Sequence, residues 1–300
     1  MFRSIARLLP LLACALVPLS ASAQAPANTM QRIQETHSIT LGVREAAWPF
    51  SFLDDKKAPA GYSVDLCLAA VEEIKRTLKL KELDVKYKVV SGTERIPKLE
   101  AGEIDLECGS TTNTKARQER VSFSNTVFVA GIRVLVPKGV KMDVLQDLAG
   151  MPVAVSKGTT SEKLLTQLAV NEVKMQLKVF ASDTEAYKAF QDGTVRAYAN
   201  DDSLLLGMAT KNKAADKVAL SKFVLSVEPY AIMMRRGDAD LAAVVDRTLN
   251  RLFSSREIDP LYKKWFANDQ FNLPMARLSR ESFSRPNKEP GVAMVLGYSI

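Results

Sequence analysis

His37 is the sole histidine in the 300-residue chain, and it precedes the first regularly patterned segment. A Ser-His-Asp or Cys-His relay needs a histidine within the fold, and zinc held by His/Cys clusters needs several, so both chemistries are disfavoured. Neither a GxGxxG turn nor a GxxxxGK[ST] loop occurs, and no cofactor is expected. Two residue sets remain. Gly158-Thr159-Thr160-Ser161 ends a strand pattern and opens a helical one, and the free N–H groups of such a helix start suit a carboxylate as readily as a phosphate. Asp201-Asp202 could serve as acid and base, but no motif surrounds them.

The elements that must position such groups begin after an export signal. Arg3 and Arg7 precede an apolar stretch ending at Ala21-Ser22-Ala23, the pattern of a secretory signal peptide. Pro10 and Pro18 keep that stretch short of the ~20 residues of a spanning helix. Cleavage after Ala23 and a periplasmic location are expected. Leu11-Leu12-Ala13-Cys14 offers a lipoprotein alternative with an unusually short apolar segment before Cys14. Loss of the two arginines lowers the formal net charge from +7 to +5. That balance suits an anionic ligand, whereas the absence of basic runs alternating with aromatics disfavours nucleic acid. Cys67 and Cys108 remain, either as a disulfide or as two buried thiols.

Ser38 to Val43, Val85 to Val90 and Ile104 to Leu106 read as strands, separated by helical patterns from Val64 to Leu78 and from Arg95 to Ala101. This is the rhythm of a parallel α/β sheet. It restarts with strands at Pro152 to Ser156, Leu177 to Phe180 and Ala197 to Ala199, and with intervening helices. Two long β-type runs, Thr126 to Pro137 and Phe223 to Arg235, flank the second unit and are candidate crossovers between two lobes. Helices at Leu241 to Phe253 and Pro260 to Phe266 are expected to return to the first lobe. The division is then signal 1–23, an irregular leader 24–37, lobe 1 over 38–130 and 226–268, lobe 2 over 131–225, and a polar surface tail 269–300. Trp48, Phe50 and Phe52, spaced by two, serve either as an apolar cleft wall or as core.

Gly61-Tyr-Ser-Val-Asp-Leu66, Glu94-Arg-Ile-Pro97, Glu107-Cys-Gly-Ser-Thr-Thr-Asn113, Arg117-Gln118 and Gly158-Thr-Thr-Ser-Glu162 together resemble the glutamate/aspartate periplasmic binding proteins. These belong to the polar amino-acid solute-binding proteins of ABC importers. The resemblance runs from about Ile39 to Phe266 and implies the type II fold: two α/β lobes joined by two crossover strands and closing on a ligand. It assigns Arg117 to the ligand α-carboxylate, Ser110, Thr112 and Thr160 to hydrogen bonding, and Asp201 to the α-ammonium. Arg44 and Arg95 are assigned to a side-chain carboxylate, and two guanidiniums there would repel lysine or arginine. Burying them without a counter-anion would be costly, which argues for glutamate or aspartate. Two positions depart from the family. Gly92 stands where a serine is frequent, and Ser182-Asp183-Thr184 lacks a histidine some members carry; an acid there would shift choice towards an amide such as glutamine. Glu228-Pro-Tyr230 resembles a segment bordering the hinge and is read as structural.

Reversible capture without turnover, by a monomer that delivers its ligand to a membrane permease, is the function so implied. A periplasmic dehydratase of the cyclohexadienyl type shares the two-lobed fold, but Arg44, Arg95 and Asp201 suit a free amino acid better than a prephenate-like substrate. A subunit presenting the ligand to a membrane sensor would use the same cleft.

Overall fold

In the computed structural model, which describes residues 28–295 and 297–300, the two expected sheets have the same internal plan. In lobe 1, Asp84–Val89, Ser38–Val43 and Leu106–Glu107 run parallel, and Met233–Arg235 and Val121–Phe123 complete the order. In lobe 2, Gln176–Phe180, Pro152–Ser156 and Ala197–Asp201 run parallel, followed by Ile132–Pro137 and Val218–Leu220. In each sheet the fourth strand is antiparallel to both neighbours and enters from a crossover. The signal segment, its cleavage after Ala23 and Cys14 lie outside the described residues.

The two long β-type runs each break where the chain changes sheets. Thr126 to Pro137 divides at Gly131 into Phe128–Ala130 and Ile132–Pro137. A Cβ at Gly131 would lie 2.9 Å from the Ser226 carbonyl, so only glycine permits this approach of the two crossovers. The second run divides into Ser226–Tyr230 and Met233–Arg235. Phe128–Ala130 pairs antiparallel with Ser226–Tyr230 to make the hinge.

Helices Ala239–Ser254 and Ile258–Phe266 do return to lobe 1. Phe266 joins Phe50, Tyr62, Phe128 and Tyr262 in an aromatic core, with Phe50 and Phe128 centred 4.8 Å apart. Tyr62 donates its hydroxyl to the Val127 carbonyl at 2.9 Å, tying helix Tyr62–Thr77 to the hinge. Cys67 on that helix is disulfide-bonded to Cys108, just beyond the third strand, across a Cα separation of 6.1 Å. Of the two open readings of the cysteines, the structure has the bridge.

Two segments differ from expectation. The leader is not irregular: Thr29–Thr36 is a helix whose cap Asn28 accepts from the Gln31 N–H, with Met30 and Ile33 buried. An apolar pair at i and i+3 was the only period available there, too short to stand out. Nor is the C-terminal segment a mere surface tail. Arg277–Ser284 is a helix whose Ser279 hydroxyl accepts from the Val129 N–H, and Val292–Ala293 adds an antiparallel strand to Ser226–Val227. Beyond it Tyr298 donates to Glu172 at 2.8 Å, and Ile300, 6% exposed, packs into the core of lobe 2. The segment therefore touches lobe 1, hinge and lobe 2 in turn.

Candidate functional site

Parallel strands direct their C-terminal ends to one side of each sheet, and loops at those ends are where α/β folds collect ligands. Arg44 follows strand Ser38–Val43, Ser110 and Thr112 follow Leu106–Glu107, and Asp201 ends Ala197–Asp201. Arg95 opens helix Arg95–Glu100, Arg117 lies on the single turn Lys115–Gln118, and Thr160 starts helix Thr160–Asn171. All seven line one small enclosed cavity between the lobes, together with Thr159, Asp183, Asn200 and Leu204. A larger, more open cavity of about 730 Å³ lies where Trp48 of lobe 1 meets Tyr187 and Met208 of lobe 2. It contains none of the seven.

The arginines cross the cleft. Arg95, only 3% exposed, donates to the Thr111 hydroxyl at 2.7 Å and to the Gly158 carbonyl of the opposite lobe at 3.3 Å, while its Nε has no partner. Burial, and then the nearby Arg117 guanidinium, push its pKa down to about 9. Arg117 donates to the Thr112 carbonyl at 2.8 Å and to the same Gly158 carbonyl at 3.3 Å. Burial lowers its pKa too, against the opposing pull of Glu228 and Asp201. Two guanidiniums converging on one carbonyl form a strongly electropositive spot that favours an anion.

The carboxylates are arranged as deliberately. Asp201 accepts from the Tyr230 hydroxyl through Oδ2, leaving Oδ1 buried and unpartnered. Burial, then the neighbouring Glu228 carboxylate, hold its pKa well above the usual range. Glu228 accepts from Thr160 at 2.9 Å. The Thr112 and Ser226 hydroxyls lie beside it, yet its Oε1 has no partner of hydrogen-bonding geometry, and burial raises its pKa as well. Of the two, Asp201 lines the cavity, and its unpartnered Oδ1 has the chemistry to accept from a cationic donor.

Sequence reasoning gave no role to Glu107 and read Glu228 as purely structural. Glu107 is fully buried and accepts from Thr111 at 2.8 Å, so Thr111 links it to Arg95. Glu228 follows from strand geometry: it projects on the same face as Tyr230, two residues on, and Tyr230 reaches Asp201. Asp183, noted only as a departure, forms an interlobe ion pair with Arg44, Nη2 to Oδ2 3.3 Å. The premise that these arginines lack a counter-anion within the protein therefore does not hold. Phe50 and Phe52 are core rather than cleft wall, with Phe50 in the aromatic cluster and Phe52 edge-on to Trp265. Trp48 packs edge-on against Phe271 on one side and lines the larger cavity between the lobes on the other, outside the cavity of the seven residues.

Where the lobes meet, glycine faces glycine. A Cβ on Gly92 would lie 2.9 Å from the Lys157 carbonyl, and one on Gly158, which has φ +77°, would lie 2.9 Å from Gly92. Among the described residues there is no group of three or more His, Cys, Asp or Glu placed to hold a metal, and no helix long and apolar enough to cross a membrane.

Two lobes, a two-strand hinge and a charged cleft between strand ends define a solute-binding protein. The chain belongs to the bacterial extracellular solute-binding proteins, family 3, which it matches over residues 39–268. It is 36% identical over 276 residues to an L-glutamate/L-aspartate-binding protein of Pseudomonas aeruginosa, covering 89% of this chain and 91% of that one. A glutamate/aspartate import solute-binding protein of Escherichia coli is 33% identical over 274 residues, covering 89% and 90%. Among solved structures, an ancestral arginine-binding protein bound to glutamine superposes with a TM-score of 0.69 at 28% identity, covering 77% of this chain and 99% of that one. These relatives are binding proteins rather than enzymes.

Proposed function

We propose that this protein is the periplasmic binding subunit of an ABC amino-acid importer and captures glutamate or aspartate. The observation that carries the reading is the convergence of Arg44, Arg95, Arg117 and Asp201 on one interlobe cavity. Charge-assisted partners are needed at both ends of a zwitterion. Arg117 takes the α-carboxylate, Asp201 the α-ammonium, and Ser110, Thr112 and Thr160 the remaining hydrogen bonds. Arg44 and Arg95 face the side chain. The names of the glutamate/aspartate-binding relatives support the choice of ligand. Lobe 1 over 38–130 and 226–268 and lobe 2 over 131–225 close on the ligand as a monomer, and the closed form docks on a membrane permease.

The test is calorimetric titration of the mature protein, stripped of carried-over ligand by unfolding and refolding. Glutamate or aspartate should bind and lysine should be silent. Arg117→Ala should abolish binding of every amino acid, whereas Arg44→Ala or Arg95→Ala should mainly alter side-chain choice. Unchanged affinity in Arg117→Ala would refute the placement of the site. Turnover of prephenate or arogenate would refute the transport role.

A further inference from the structure

The side-chain end of the cavity carries its own counter-charges. Arg44 from lobe 1 meets Asp183 from lobe 2, and their side chains are only 12% and 8% exposed. Asp183 is fixed from behind: its Oδ1 accepts from the Tyr198 hydroxyl at 3.1 Å and from Asn200 Nδ2 at 3.0 Å. Tyr198 is itself held by Ser156 at 3.1 Å, and Asn200 donates to Tyr198 at 2.6 Å. Asp183 is thus a rigid carboxylate in the cavity wall, with Oδ2 directed to the guanidinium that faces the ligand side chain. Arg95 has Glu107 as its strongest opposing charge, reached through Thr111.

A ligand side chain entering here meets two arginines and the Asp183 carboxylate, with Glu107 buried behind Thr111. An ω-carboxylate must compete with Asp183 for Arg44 and lies next to a like charge. An ω-amide can present its oxygen to an arginine and its NH2 to Asp183, leaving no charge uncompensated. Like-charge juxtaposition is a recognised way of ranking ligands.

We propose that Asp183 is the specificity-determining residue of the cleft, ranking ω-amide against ω-carboxylate ligands and admitting glutamine and asparagine alongside glutamate and aspartate. The inference rests on the amino-acid reading given above. It concerns only the side-chain end, so the two can fail separately.

The experiment is calorimetric titration of wild type, Asp183→Asn and Asp183→Ser with glutamate, glutamine, aspartate and asparagine, with thermal melts confirming that each variant folds. The readout is the ratio of glutamate to glutamine affinity, in which a general structural loss cancels. Both variants should move that ratio towards glutamate by at least about tenfold, equivalent to 1.4 kcal/mol. A ratio that moves less than about threefold in the variants that fold overturns the proposal, as does a wild-type protein that rejects glutamine by more than about a thousandfold, which is over 4 kcal/mol. If the wild type binds none of the four, the amino-acid reading falls with it. If it binds them through Arg117 and the ratio stays fixed, only the assignment of Asp183 falls.

Discussion

Gly92→Ala isolates the closing of the lobes from the chemistry of the site. Gly92 lies outside the left-handed region of φ, so alanine is free to adopt its backbone. The added Cβ would stand 2.9 Å from the Lys157 carbonyl of the opposite lobe, roughly half an ångström inside ordinary contact. The obstacle is backbone, not the end of a flexible side chain, so one lobe must shift. Overpacking of this kind costs about 1–3 kcal/mol. The clash exists only when the lobes are together, so the cost falls on the closed, ligand-holding form. Kd should rise about five- to 150-fold at 1.4 kcal/mol per tenfold. All amino-acid ligands should weaken by the same factor, because the contact touches neither end of the ligand. Calorimetric titration measures the loss, and the melting temperature without ligand checks that the lobes themselves are intact. Unchanged affinity, or a loss confined to one ligand, would refute the view that Gly92 and Gly158 set the approach of the lobes.

The buried pair Asp201 and Glu228 predicts a pH dependence. Both carboxyls have raised folded-state pKa values, Asp201 through burial and then the Glu228 carboxylate, Glu228 through burial, so the folded ligand-free protein holds protons more tightly than the unfolded chain. Their contribution to stability is greatest in acid and is lost as pH rises from the unfolded carboxyl value of about 4 through the raised folded values. Melting curves of wild type against Asp201→Asn between pH 4 and 7 should show the difference narrowing or reversing in acid; a constant offset would contradict it. The Cys67–Cys108 bridge spans 41 residues, and its reduction should cost about 4 kcal/mol in the chain-entropy account, read as a lower denaturation midpoint with reductant. Ile300→Ala should destabilise lobe 2 by about 2 kcal/mol, at the low end for a buried isoleucine, and a urea midpoint equal to wild type would remove the C-terminal segment from the lobe 2 core.

The strand and helix order of both lobes was legible because alternation and helical periodicity act over short windows, and strands buried on both faces read as apolar runs. What was not legible depended on partners distant in sequence. The helix Thr29–Thr36 is fixed by contacts such as Arg32 with Asp105 at 2.6 Å, 73 residues away. Segment 269–300 looked like a tail because its anchors, Val129, Val227, Glu172 and the lobe 2 core, are remote from it in the chain. In the cleft, the seven residues carried over from the resemblance do line one cavity, but they are mostly the groups that would touch a ligand. Glu107 and Glu228 supply partners and opposing charge to those groups without any local pattern that marks the role, and Asp183 was visible only as a departure from the family. Gly92 shows the same limit. Compared with the family serine it looks like a lost hydrogen bond, yet the structure presents it as space needed by the opposite lobe. Substitutions in such a cleft have to be read in pairs across the interface: Arg44 with Asp183, Arg95 with Glu107, and Gly92 with Gly158. A change at one member alters what the other can offer the ligand.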